Sequence, residues 1–258
     1  IFRRGQHDFG EKTFFGRTGN WNGEDIVDMI LERRETADFL VRKIWDYFVS
    51  APPEPALLQD LSRSYYEDDY HTGRLLRRIF TSDWFYTSRF RGAQIKAPVV
   101  LVAGLVRQLG VRLDDERVFL LLQRTLGQQL FNPPNVAGWP GGRSWIDNAT
   151  LSQRLSLPAG LLTDREVDLS YRLAPEEELL TGGGQRRLRA SLELAPFVAW
   201  LGNRPAAEAY EQLCQTLLPT PPRLATELAS AMAESDDPEE QVRRLLLIVM
   251  TMPEYQLC

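Results

Sequence analysis

The chain reads as an all-α, irregular multi-helix domain with a tryptophan-, glycine- and proline-rich loop and a C-terminal helical subdomain. Three observations predict this. Apolar residues recur at helical spacing from Gly23 to Met250. Prolines and capping residues mark starts and stops at intervals suited to helices. Runs of alternating apolar and polar residues, which would read as half-buried strands, do not form a series, and no repeat of fixed length recurs.

Asn22 and Gly23 precede EDIVDMILERR, where acids occupy the first turn and Ile26, Met29 and Ile30 share a face. Thr36 is expected to cap a second helix reaching about Val49, with Phe39, Leu40, Ile44, Tyr47 and Phe48 inward. Pro52 and Pro53 stop it. A third helix starts near Pro55 with Leu57, Leu58, Leu61 and Tyr65 inward, and a fourth carries Leu75, Leu76, Ile79 and Phe80. SDWFYTS is a short turn.

Pro98 suits the first turn of APVVLVAGLVRQLG, which is apolar nearly all round and reads as a central buried helix; its β-branched content leaves a strand as the alternative. Asp114 or Asp115 is expected to cap ERVFLLLQRTLGQQLF. Ser144, with Asp147 three residues on, resembles a capping box for a helix ending before Pro158. Residues 158–185, with Pro175, Glu176–Glu178 and Gly182–Gly184, read as a connector between a helical core with motif loops (1–157) and a C-terminal helical segment (186–258). That segment reads as four helices punctuated by Pro196, Pro205, Pro222 and Pro238, all but Pro196 near a helix start. Asp237–Pro238–Glu239–Glu240 combines a cap, a proline and two acids facing the positive end of the dipole.

The 258 residues suffice for a substantial core. A net charge of −5 argues against a general nucleic-acid footprint, and the Arg33–Arg34, Arg77–Arg78, Arg186–Arg187 and Arg243–Arg244 pairs sit among acids as solvated helix faces do. No run approaches the roughly 20 apolar residues of a membrane span. Cys214 and Cys258 lack zinc-ligand spacing and leave open whether they pair.

The most informative stretch is FNPPNVAGWPGGRSWIDNATLSQR, 131–154, which sets two tryptophans among glycines, prolines and asparagines. Large aromatics in such a loop are costly to leave in water, so Trp139 and Trp145 are expected to be mostly buried, as a structural clamp or as the wall of a site. With Trp21, Asn20, Asn132, Asn135 and Asp147 they could instead line a sugar-binding cleft. Glu24, Asp25, Asp28 and Asp147 are the carboxylates such a glycosidase would draw on.

Elsewhere His7, Asp8, Glu11 and Lys12 share a glycine-bearing loop, where a histidine beside a carboxylate can act as a base or bind a metal; the plainer alternative is a polar loop tied to backbone groups. Glu67, Asp68, Asp69 and His71 could attract a divalent cation but lack the alternation of a calcium loop, and read as a solvated helix end. GRTGNWNG lacks the spacing of a phosphate loop and reads as a tight turn presenting Trp21. No GxSxG elbow is present.

Four segments together resemble one family: HDFGEKTFFGRTGNWNGEDIVDMIL (7–31), TADFLVRKIWDYFV (36–49), the tryptophan loop, and the ending MTMPEYQLC (250–258). They are features of the large bacterial family catalogued as domain of unknown function 1800. The resemblance transfers no catalytic residue, cofactor or metal. It implies an exported, periplasmic or cell-surface protein, and a sulfatase-like companion encoded nearby. It also implies that the chain corresponds to the C-terminal half or more of a typical member, so that a further region could complete a site.

The resulting expectation is a binding module for a partner protein or glycan acting through the tryptophan loop. The alternative is a hydrolase whose site joins the HDFGEKT and GWPGG loops. The candidate polar site comprises His7, Asp8, Lys12, Asn20, Trp21, Asn135, Trp139, Trp145 and Asp147.

Overall fold

A computed structural model of the chain describes residues 3–113, 115–163 and 190–258. It is mostly helical, with two small two-stranded sheets among the described residues. Two compact units divide between Phe90 and Arg91. The expected connector falls largely outside the described residues, as do Pro175, Glu176–Glu178, Gly182–Gly184, Arg186–Arg187 and Asp114.

The first unit opens with a hairpin of β1 (Lys12–Phe14) and β2 (Arg17–Gly19), antiparallel with Thr13 opposite Thr18. Its two-residue turn places Phe15 at φ 46° and Gly16 at φ 77°, the left-handed pair that matches strand twist. This hairpin is too short to show as an alternating pattern in the sequence. Helix α1 (Gly23–Leu31) starts at a full capping box in which Asn22 and Asp25 satisfy each other's backbone. Helices α2 (Arg34–Phe48), α3 (Pro55–Glu67) and α4 (Thr72–Phe80) complete the unit, with α2 packed on α3.

The inner stripe of α2 differs from the expected one. Ala37, Val41 and Trp45 are buried at every fourth position, whereas Phe39 and Tyr47 are 57% and 74% exposed. The Trp45 indole explains the rotation. It is the largest apolar group on the helix, and it is fully used: its Nε1 donates to Ala51 O at 2.7 Å and its ring stacks on Trp84 at 5.3 Å. Phe39 instead lies under the Lys43 ammonium, 4.9 Å from its centroid. Thr36 lies inside α2 rather than capping it, donating its hydroxyl to Ile30 O.

In the second unit α5 (Pro98–Leu109) is a helix, ending at the left-handed Gly110. It is not buried all round: Leu101, Val102, Leu105 and Leu109 face the core while Val100 is half exposed. Helix α6 (Arg117–Thr125) is shorter than expected because the chain turns at Gly127, φ 85°. Helix α7 (Asn148–Leu162) starts at Asp147 rather than Ser144, since Asp147 and Thr150 cap each other. It also runs through Pro158. A proline inside a helix costs about 3 kcal/mol; burial of Leu157, Leu161 and Leu162 offsets it.

Among the described residues of the C-terminal segment four α-helices follow, as expected: α8 (Ala195–Leu201), α9 (Ala206–Leu217), α10 (Thr226–Ala233) and α11 (Pro238–Thr251). Pro196 does lie in a first helical turn, where its missing N–H has no helical partner to lose. Helix α11 is the true centre of this unit. It packs on α7, α8, α9 and α10 and buries Val242, Leu245, Leu246, Val249 and Met250.

The two stripes of α2 give a direct test. Trp45→Ala should cost about 3–5 kcal/mol in urea unfolding, and Phe39→Ala less than about 1 kcal/mol. Equal losses would show that the stripe is wrongly assigned.

Candidate functional site

The tryptophan loop is built from its two ends. At its start, Gln123 Oε1 accepts from Leu130 N at 2.9 Å and Gln128 Oε1 accepts from Val99 N at 3.0 Å. At its end, the Thr150 hydroxyl donates to Trp145 O at 3.1 Å, and Trp145 is buried. Between these anchors Asn135 folds the tip by accepting from Ala137 N at 2.8 Å through its side chain and from Gly138 N at 3.0 Å through its carbonyl. Trp139 is partly exposed.

The tip itself faces solvent. Phe131 is 99% exposed and Val136 fully so, with Leu130 at 43%. The expectation that Trp139 and Trp145 are mostly buried holds for Trp145, whereas Trp139 is only partly buried and Phe131 of the same loop lies in water. The loop is therefore neither a simple clamp nor a closed pocket. It is an anchored loop presenting apolar groups.

The HDFGEKT segment lies in the first unit. Asp8 Oδ1 accepts from Gly10 N at 2.8 Å, and this bond, with the Lys12 ammonium 3.9 Å away, holds the carboxyl below its ordinary pKa. Lys12 donates to the carbonyls of Asp8 and Gly10. The His7 ring meets Phe9 edge to face at 4.7 Å. Asn20 is exposed; Trp21 lies against Gly19 and donates from Nε1 to Arg17 O at 3.2 Å. An added Cβ at Gly19 would sit 2.7 Å from the Trp21 ring, so this glycine is what lets the indole lie flat on the hairpin.

The candidate residues thus form two groups in separate units: His7, Asp8, Lys12, Asn20 and Trp21 in the first, and Asn135, Trp139, Trp145 and Asp147 in the second. Within each group several serve local structure. Asp147 caps α7 and Asp8 closes a turn; outside the two groups, the candidate carboxylate Asp25 closes the α1 capping box. The Glu67–His71 segment is a helix corner: Asp69 and Tyr70 take left-handed φ, the Tyr70 hydroxyl donates to Leu31 O at 2.6 Å, and His71 Nδ1 accepts from Arg74 N. Among the described residues, no group of three His, Cys, Asp or Glu side chains is placed to hold a metal ion.

Sequence reasoning missed Arg154, the last residue of the tryptophan-loop motif. It is wholly buried on α7. Its guanidinium donates to Lys96 O at 3.0 Å and makes a long 3.5 Å contact to Gln256 Oε1. It forms no ion pair with a described residue, and burial alone lowers its pKa to about 10. Lys96 donates to Tyr255 O at 2.6 Å, lies 3.8 Å over the Tyr255 ring and is likewise lowered by burial. Tyr255 in turn donates to Gln108 at 2.5 Å. This knot joins the loop motif to the ending MTMPEYQLC. The signal for it was faint: an arginine seven residues beyond a helix cap, which periodicity treats as surface.

Arg154→Ala should cost about 2–4 kcal/mol, because it leaves a cavity and strips Lys96 O of its donor. The pH dependence has a definite sign. The folded arginine, lowered to about 10, loses its proton at a lower pH than the unfolded one, so above about pH 10 the unfolded state binds more protons until it too titrates. Across that window the wild type should gain stability relative to Arg154→Met. Parallel curves in urea titrations would refute the buried charge.

No curated protein and no solved structure matches the chain. The model of one family, described as "Protein of unknown function (DUF1800)", matches residues 1–257. That match covers essentially the whole chain, motifs and knot included, and the chain belongs to the DUF1800 family.

Proposed function

We propose that this protein is a binding module whose tryptophan loop docks a partner protein. The observation that carries this reading is the exposure of Phe131 and Val136 at the tip of a loop hydrogen-bonded at both ends. Apolar groups held in water in a fixed frame are the usual centre of a protein interface. A glycan would draw on a flat indole flanked by free amides and carboxylates. Here Trp145 is buried, and Asn135 and Asp147 already serve the backbone, which favours protein over sugar.

The family resemblance makes the sulfatase-like companion encoded nearby the first partner to test, and an exported location the first to examine by cell fractionation. The hydrolase alternative draws less support: Asp8 is an exposed carboxylate stabilised in its charged form, the opposite of a tuned base. No helix among the described residues is long and apolar enough to cross a membrane.

Purified companion should bind the wild-type chain in biolayer interferometry. Phe131→Ser and Val136→Ser should each weaken binding at least ~10-fold, while unfolding free energies stay within about 0.5 kcal/mol because both side chains are exposed. Binding to a glycan array that needs Trp139 would favour the sugar reading instead. Undiminished binding by both variants would remove the loop from the interface.

A further inference from the structure

A second feature lies apart from the tryptophan loop. A cleft of about 440 Å³ opens in the second unit between α9 and the proline-rich turn that follows it. Its volume falls within the range of small-ligand sites, roughly 300–1,000 Å³. We propose that this cleft binds a short peptide with free termini, its carboxylate against Arg91 and its ammonium against Glu211.

The charges point to that class. Arg91 and Glu211 both line the cleft, and neither side chain makes an ion pair or hydrogen bond with a described residue. A guanidinium offers paired donors that match a carboxylate, and a carboxylate accepts from an ammonium. A simple anion would be opposed by Glu211 and a simple cation by Arg91. A molecule carrying both charges satisfies both. Leu218 and the rings of Pro219, Pro221 and Pro222 add apolar lining to the same cleft, and Gln215 offers an amide suited to a peptide group.

The cleft is also preformed. Prolines fix its outer wall. The Tyr210 hydroxyl donates to Leu224 O at 3.0 Å, and Glu254 accepts from Arg223 N at 3.3 Å, so the turn is tied down beyond the cleft. On the opposite side Gly92, φ 63°, lets the chain come close: a Cβ there would sit 2.7 Å from Thr220 Cγ2. A rigid cleft loses little freedom when it is filled. Cys214, at the cleft wall, is buried and its thiol is pushed up to about 11, chiefly by burial, so at neutral pH it is protonated and inert. The chemistry on view is binding without covalent reaction.

Calorimetric titration of the whole chain with alanyl-phenylalanine and with alanyl-alanyl-phenylalanine tests this. Binding should weaken at least ~10-fold when the peptide amine is acetylated, when its carboxyl is esterified, and in Arg91→Gln and Glu211→Gln, with melting temperatures unchanged since both residues are exposed. Phe131→Ser should leave peptide binding intact, which separates this site from the tryptophan loop. Absence of binding up to ~10 mM by both peptides, equal binding of the blocked peptides, or unweakened binding by both variants would overturn the proposal.

Discussion

The second unit depends on a buried cation that has no anion among the described residues. Arg154 is wholly buried and, among the described residues, answers to a carbonyl and an amide oxygen. An unpaired buried charge is among the least favourable groups a core can hold. Its retention makes sense as a fixed point. The guanidinium holds the backbone at Lys96, and Lys96 holds the backbone at Tyr255 while lying over its ring. Around these bonds the segment before α5 pairs with the end of the chain, Lys96 N donating to Gln256 O at 2.8 Å and Cys258 N to Gln94 O at 2.9 Å. Three stretches far apart in sequence are thereby brought to one place.

That constraint reaches both proposed binding surfaces within the unit. Arg154 sits seven residues after the Asp147 cap on one rigid helix, so fixing it fixes the direction in which the tryptophan loop leaves α7. The segment it grips also contains Gly92 and begins at Arg91, one wall of the cleft. The C-terminal turn supplies Glu254, buried yet paired with Arg223 at 3.7 Å, which ties down the other wall. A buried polar network of this kind specifies one arrangement because few others satisfy its partners.

Much of the fold was legible. Asn22, Pro55, Pro98 and Asp237 each start a helix where local chemistry placed it, because a cap or a first-turn proline acts within a few residues. What local chemistry cannot read is which face turns inward when a helix has apolar groups on several sides. Phe39 and Tyr47 were assigned inward on apolarity, yet the depth available beneath Trp45 decided the rotation. Pro158 likewise lies within α7 because burial of its neighbours outweighs a local rule. The site was less legible. Its loops announced themselves by composition, but Arg154, Lys96 and Gln256 carry no pattern that distinguishes a buried polar side chain from a solvated one. Their meaning comes from partners up to 159 residues away.

The exposed tip of the tryptophan loop then has a physical reading beyond composition. A loop free to move could fold Phe131 and Val136 onto the nearest apolar surface and gain about 25 cal/mol for each Å² hidden. The anchors oppose that collapse. Bonds from Gln123 and Gln128 hold the start, the Asn135 turn stiffens the tip, and the buried Trp145 holds the end. Phe131 itself sits at φ 63°, a left-handed conformation unfavourable for a bulky residue and sustained only when the flanking structure imposes it. The cost of presenting these side chains is therefore carried by the fold before any partner arrives. A partner covering them meets a surface already ordered, and the apolar area it buries goes into affinity rather than into ordering the loop.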